Sequence, residues 1–212
     1  MSFPQRLIDG YGAFASGRLQ SEQDRYRELA EHGQTPEIMV IGCCDSRVSP
    51  EVIFDAAPGE LFVVRNVANL VPVYQPDGGA HGVSAALEYA VRALRVKHIV
   101  VLGHAQCGGI RAFIDNIEPL SPGDFIGRWM SMFIKPGEQV GQREHETMAD
   151  FTERIEKAAV FRSLENLMTF PFVRALVERG VLHLHGAYFG VAEGSLFVLD
   201  PAAKEFRSVR DA

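Results

Sequence analysis

The sequence is poor in cysteine: Cys43, Cys44 and Cys107 are the only three in 212 residues. So small and odd a number argues against the disulfide framework of a secreted scaffold. It leaves a metal site or a reactive thiol. An excess of positive charge is also missing. Lys and Arg number 21 against 27 Asp and Glu, a formal net charge of −6, which argues against a broad electrostatic footprint for nucleic acid. No apolar run approaches the roughly 20 residues that a membrane span needs. No apolar block follows a basic start near Met1, so no targeting segment is read there. These absences predict a cytoplasmic protein with neither nucleic acid nor membrane as partner. Repeats, low-complexity tracts and splitting linkers are lacking too. Residues 1–212 read as a single domain, with 1–33 as an N-terminal helical arm.

What the chain has instead is alternation. Ile38–Ile41, Leu61–Val64, His98–Leu102, Val181–Leu184 and Ser195–Leu199 are short apolar runs that read as strands. Helices are expected over Ala80–Leu94, Gly108–Asn116, Glu144–Thr169 and Phe172–Arg179, with loops at Val71–Gly79, Glu118–Gly123 and around Pro136–Gly141. Apolar strands alternating with helices predict an α/β fold with a mostly parallel central sheet flanked by helices. About four parallel strands and a fifth edge strand are expected. In the arm, Leu7, Ile8, Tyr11, Phe14, Leu19, Tyr26 and Leu29 recur at roughly helical spacing. Such an arm packs on its own domain or crosses to a partner subunit.

Ligands of such sheets bind beyond the carboxyl ends of the strands. The first strand runs into Gly42-Cys43-Cys44-Asp45-Ser46-Arg47, and the third into Gly103-His104-Ala105-Gln106-Cys107-Gly108-Gly109. Thiolate and imidazole are good zinc ligands, and His-x-x-Cys can close on one ion from a strand-to-helix turn. One further cysteine from the first segment makes Cys₂His. Three protein ligands leave a position for water, the catalytic pattern rather than the structural one. Cys44, beside Cys43, points elsewhere and reads as a core thiol. Only three residues separate Cys43 from Arg47 and Cys107 from Arg111, too few for a cysteine phosphatase loop.

Cys43-x-Asp45-x-Arg47 followed by His104-x-x-Cys107-Gly108-Gly109 resembles the β-class carbonic anhydrases. The resemblance extends through Pro58-Gly59-Glu60, Val64 to Asn69, Glu88 to Val91, and Asn166 to Val173. The later segments are most similar to the plant-like branch. The resemblance implies one zinc ion per subunit, held by Cys43, His104 and Cys107. It also implies a catalytic dyad, Asp45 and Arg47, that orients a zinc-bound hydroxide toward carbon dioxide. Zinc makes that nucleophile available near neutral pH, and two thiolates are expected to acidify the water less than imidazoles would. A planar guanidinium suits a carboxylate and would keep Asp45 oriented and ionised.

Plant-like members line the substrate pocket with a Gln, a Phe and a Tyr, here Gln34, Phe62 and Tyr89. The Gly108 N–H is a further donor to substrate oxygens. The resemblance implies that Gln34 and Tyr89 enter from a partner subunit, so a homodimer or dimer of dimers is expected. Another subgroup closes its zinc site with the Asp and carries a Trp-Arg-Tyr bicarbonate pocket. The matching positions here are Val40, Arg65 and Phe189, so the open-site subgroup is favoured. The residue serving as proton shuttle in some members is here Ala93. His81, Tyr89 or buffer remain as substitutes. Hydrolysis of carbon disulfide or carbonyl sulfide would suit a similar site, and a non-catalytic zinc module is the alternative of a different class.

Overall fold

The computed structural model describes residues 3–115, 125–132 and 145–211. The loops read at Glu118–Gly123 and around Pro136–Gly141 lie outside these residues, as do Asn116 and Glu144 at the ends of two expected helices. Helices α1 (Gln5–Ser16) and α2 (Arg18–His32) form the arm, and Gly17 breaks it in two. Then come β1 (Ile38–Cys43), α3 (Pro50–Ile53) and β2 (Leu61–Asn66), followed by a 3₁₀ turn at Val67–Asn69. The expected helix from Ala80 is α4 (Gly82–Glu88), continued by a π-helical turn at Tyr89–Leu94. Arg95, with φ at 58°, ends that turn. Next are β3 (His98–His104), α5 (Gly108–Asp115), α6 (Phe125–Ser131), α7 (Met148–Leu167) and α8 (Pro171–Glu178). Strands β4 (His183–Gly190), β5 (Ser195–Asp200) and β6 (Glu205–Ser208) complete the order.

The sheet order is β2-β1-β3-β4-β5-β6. The first four strands run parallel, and β5 and β6 are antiparallel additions. The parallel α/β expectation therefore holds, with one refinement. Strand β5 is not the edge, because β6 pairs outside it. Four residues, Glu-Phe-Arg-Ser, are too short for period-two alternation to stand out. What places β6 there is the turn before it, where the Asp200 carboxylate accepts the N–H groups of Ala202 and Ala203 at 2.9 and 3.1 Å. Strand β4 also runs past the predicted Leu184 to Gly190, because Gly186 and Ala187 interrupt the apolar pattern.

Local chemistry explains the main elements. Five of the six β1 residues are buried, as expected of an interior parallel strand. Helix α7 starts in a capping box, with Thr147 Oγ1 accepting the Asp150 N–H at 3.1 Å. Helix α8 starts with Pro171 at its first position. Met39, Ile41, Leu87, Ile99, Val101, Val160, Leu167, Phe170 and Val173 form the main core under α7 and α8. Truncating Phe170 there would cost about 3–5 kcal/mol. A second cluster, including Val48, Ala68, Leu70, Ile110, Met130, Ile155 and Ala159, closes around Cys43 and Cys107 at the strand ends.

Helix α7 lies directly on the sheet because β3 and β4 are small where it crosses. A Cβ on Gly103 would stand 2.6 Å from Val160 Cγ2, and one on Gly186 would stand 3.0 Å from Cγ1 of the same residue. The close approach carries Glu156, one helical turn before Val160, toward Cys107. Farther along α7, Ser163 Oγ accepts the Val71 N–H at 3.2 Å and donates to the Asn69 carbonyl at 3.0 Å. Asn166 donates to the Val71 carbonyl at 2.7 Å. No helix among the described residues is long and apolar enough to cross a membrane.

Candidate metal centre

Strands β1 and β3 are neighbours in register, Gly42 opposite Leu102. Their carboxyl ends therefore bring Cys43 and His104 together, and the turn into α5 returns Cys107 to the same point. One ligand atom from each lies within 4.8 Å of the other two. All three residues are buried, His104 with 1% exposure. The two sulfurs are 4.0 Å apart. Zinc–sulfur bonds of about 2.3 Å in a tetrahedron would separate them by about 3.8 Å.

His104 is presented in a metal-binding tautomer. Its Nδ1 lies 2.9 Å from the Ala105 carbonyl, which can only accept, so Nδ1 carries the proton. The lone pair then sits on Nε2, which is buried and has no hydrogen-bond partner among the described residues. Leaving such a group unpaired costs about 1–3 kcal/mol. The thiols show the same incompleteness. The hydrogen bond to Cys107 pulls the Cys43 pKa well below the cysteine range. Cys107 is pushed up by that hydrogen bond, by burial and by the Cys43 charge. Two sulfurs in contact thus stand beside this nitrogen, and the donor set fits a divalent zinc ion.

The loop after β1 folds back on itself. Arg47 Nε donates to Asp45 Oδ1 at 2.9 Å and Nη2 to Oδ2 at 2.7 Å, with the Arg47 N–H adding a bond to Oδ1 at 3.0 Å. The guanidinium holds the Asp45 carboxyl well below the usual carboxylate range. Arg47 Nη2 also donates to the Gln106 carbonyl at 3.0 Å, tying the loop after β1 to the loop after β3. Gln106 has φ at 57°, so a non-glycine residue stands in the left-handed region between two candidate ligands. Arg65 braces the first loop from beneath, Nε on the Cys43 carbonyl at 2.9 Å and Nη2 on the Asp45 carbonyl at 2.6 Å.

Sequence reasoning missed Glu156 and Tyr188. The buried Glu156 carboxylate accepts the Cys107 N–H at 2.8 Å through Oε1 and the Tyr188 hydroxyl at 2.7 Å through Oε2. Burial raises the pKa of both groups. A signal was present, because Glu156 falls in the stripe Thr152, Ile155, Ala159, Val160, Ser163 that α7 buries. A carboxylate on a buried stripe needs a partner.

Of the remaining expected site residues, Gly108 adjoins a candidate ligand, whereas Gln34, Phe62 and Tyr89 stand apart from the three. Gly108 opens α5 directly after Cys107. Gln34 is exposed just past the arm. Phe62 and Tyr89 touch each other, ring centroids 5.9 Å apart, and Tyr89 is 51% exposed. Phe62 lies four residues before Asn66, the residue opposite Cys43, so about 13 Å of strand separates it from the centre. His81 pairs with Asp77 at 2.7 Å. Both line a cavity of about 970 Å³ between residues 72–84, α6 and α7, and none of Cys43, His104 and Cys107 lines it. Cys44 corrects the sequence reading: it is exposed rather than in the core. Strand β1 ends at Cys43, so the alternation that would bury the next side chain stops there.

Comparison with known proteins agrees with this geometry. A family model described as carbonic anhydrase matches residues 38–196. A carbonic anhydrase of Pseudomonas aeruginosa is 36% identical over 205 residues, covering 97% of this chain and 91% of its own length. Among solved structures, the β-carbonic anhydrase CcaA superimposes with a TM-score of 0.88 at 32% identity, covering 96% of this chain and 91% of its own. One of two tetrameric β-carbonic anhydrases from the ascomycete Sordaria macrospora does so at 0.77 and 30%, covering 92% and 95%. With buried thiols and an unpaired imidazole at adjoining strand ends, and with relatives that match nearly end to end, the chain belongs to the β-class carbonic anhydrases.

Proposed function

We propose that the chain interconverts carbon dioxide and bicarbonate with a zinc ion held by Cys43, His104 and Cys107. The observation that carries this reading is His104 Nε2, a buried nitrogen with no hydrogen-bond partner among the described residues, beside two buried sulfurs 4.0 Å apart. Zinc in that site supplies Lewis acidity that brings the pKa of water toward about 7. The protein's own groups do the rest. Asp45, ionised under its Arg47 clamp, accepts the O–H of the attacking water and so turns the remaining lone pair toward carbon dioxide. Arg47 stays protonated in proteins, so Asp45 remains an acceptor throughout. The Gly108 N–H, at the start of the eight-residue α5, is a donor to the bicarbonate oxygens.

The pocket is completed across a subunit boundary. Gln34 hydrogen-bonds substrate oxygen in the partner's site, and Tyr89 with Phe62 forms an apolar wall there. The ring contact between Phe62 and Tyr89 supports their entering as a unit. No residue of α1 or α2 is buried, and Leu7, Ile8 and Tyr11 stand exposed on α1. An apolar helix face left uncovered in one chain supports an arm that embraces a second. The working unit is therefore a dimer or a dimer of dimers of whole 212-residue domains, and the Sordaria macrospora relatives are described as tetrameric. A cytoplasmic setting would keep the three thiols reduced.

We also assign the chain to the open-site, plant-like branch. Val40 and Phe189 stand where the closed-site pocket needs Trp and Tyr. Arg65 is engaged by the carbonyls of Cys43 and Asp45, which supports a bracing role rather than anion binding. The decisive assay is stopped-flow carbon dioxide hydration by the zinc-loaded protein, with carbon disulfide and carbonyl sulfide run alongside. Hydration of carbon dioxide is expected. Zinc-loaded protein that stays inactive at about pH 9, some two units above the range for acidified water, would leave only the non-catalytic module.

A further inference from the structure

The amino ends of β3 and β4 carry a group that carbon dioxide chemistry does not use. His98 opens β3, and His183 and His185 lie two apart at the start of β4. Parallel pairing sets His98 opposite His183 and Val100 opposite His185. Residues two apart on a strand share a face, so the three rings meet on one face of the sheet. His98 Nδ1 is 3.1 Å from His185 Nε2. The His98 ring stacks on His183 with centroids 5.4 Å apart and lies 5.2 Å from the ring of His185. Burial, and then the charges of His98 and His183, push the His185 pKa down. Neutral imidazole is the form that binds metals. His183 and His185 are exposed, so an ion can reach them from solvent. His104 lies six positions along the strand from His98, about 20 Å, too far for the cluster to share an ion with the Cys43 centre.

We propose that His98, His183 and His185 form a second metal site, for a divalent transition ion that prefers imidazole, such as Ni²⁺ or Zn²⁺. Metal–nitrogen bonds of about 2.0–2.1 Å in a tetrahedron place two nitrogens about 3.4 Å apart. His98 and His185 already stand within a few tenths of an ångström of that spacing. The three ligand nitrogens are not yet as close as those of the Cys43 centre, and His183 joins by turning its ring out of the stack. Each neutral ring can carry its single proton on the nitrogen facing away, so binding needs no net proton release. A fourth position falls to water or to Glu37, whose carboxylate feels His98 and now pairs with Lys97. Such an ion would clamp β3 to β4.

The test equilibrates the zinc-loaded protein with Ni²⁺, removes the excess by dialysis, and counts both metals by elemental mass spectrometry. Nickel retained beside undiminished zinc is expected, with broadening of the His98, His183 and His185 imidazole resonances. In His183→Gln and His185→Gln nickel affinity should fall at least about tenfold, since loss of a ligand costs no less than loss of a ligand's hydrogen-bond partner. Zinc content and carbon dioxide hydration should not change in either variant. Wild-type protein that retains no nickel overturns the proposal. So does nickel that enters only in exchange for zinc, or retention that survives both substitutions.

Discussion

Arg47 occupies three of the four acceptor positions of the Asp45 carboxylate. Its N–H and Nε fill Oδ1 at 3.0 and 2.9 Å, and Nη2 takes one position on Oδ2 at 2.7 Å. With roughly two lone-pair sites per oxygen, a single position on Oδ2 is left for another donor. The dyad is thus a one-proton acceptor with a fixed direction.

Asp45→Asn is expected to retain the metal and lose turnover by about 100-fold or more, the lower end for a positioned proton acceptor. Zinc content by elemental analysis and kcat by stopped flow check it together. Wild-type kinetics in this variant would remove Asp45 from the mechanism. Arg47→Lys keeps the charge but not the fork, and a drop of about tenfold is expected.

Cys107→Ser should lose zinc on dialysis against a chelator that the wild-type protein withstands. Thermal stability should fall with it, because metal binding and folding are linked. Full zinc retention would exclude Cys107 as a ligand.

Tyr188→Phe removes a hydroxyl from the buried Glu156 carboxylate, whose other oxygen holds the Cys107 N–H. Loss of one donor from a buried acceptor costs about 1–3 kcal/mol, a fall in Tm of about 5 °C for a chain of this size. Calorimetry of wild type and variant decides; an unchanged Tm would show the bond to be dispensable.

The pH profile follows from the direction of the Asp45 shift. Its pKa in the folded protein lies below the ordinary value, so Asp45 is ionised above that value and charged across the whole working range. Whatever stability the dyad adds is complete above the ordinary carboxylate pKa and is lost only as pH falls through the lowered one. No carboxylate limb should therefore appear between about pH 6 and 9, and kcat should rise smoothly as water is acidified by the metal. A steep, multi-proton shut-off below about pH 8 would place the chain in the closed-site subgroup, despite Val40 and Phe189.

Charging the exposed face of α1, with Leu7→Asp and Tyr11→Asp together, should convert the oligomer to monomers on light scattering. Zinc should remain, because all three proposed ligands belong to one chain. Activity should fall if, as proposed, Gln34 and Tyr89 complete the partner's pocket. Monomers of undiminished activity would show the pocket to be complete within one chain.

Much of this protein was legible in the residues themselves. Apolar runs such as Ile38–Ile41 read as strands, because their length and β-branching suit a sheet covered on both faces; that β1 is interior and the similar run Leu61–Val64 lies at the edge was set by the fold. His104-x-x-Cys107 is a local geometry, set by one turn, so its spacing together with Cys43 at the other strand end made it a candidate. The carboxylate and guanidinium of Asp45 and Arg47 are two residues apart, and their pairing needs no distant contact. Tertiary structure decided what depends on elements far apart in sequence. Glu156 reaches Cys107 only because Gly103 and Gly186 let α7 down onto the sheet. His98 meets His183 and His185 only through the register of β3 with β4. Cys44 faces outward because the strand that would have buried it ends one residue earlier. Spacing carries chemistry confined to one turn or one strand end, whereas contacts across the sheet depend on helix approach and strand register, which only the packed fold sets.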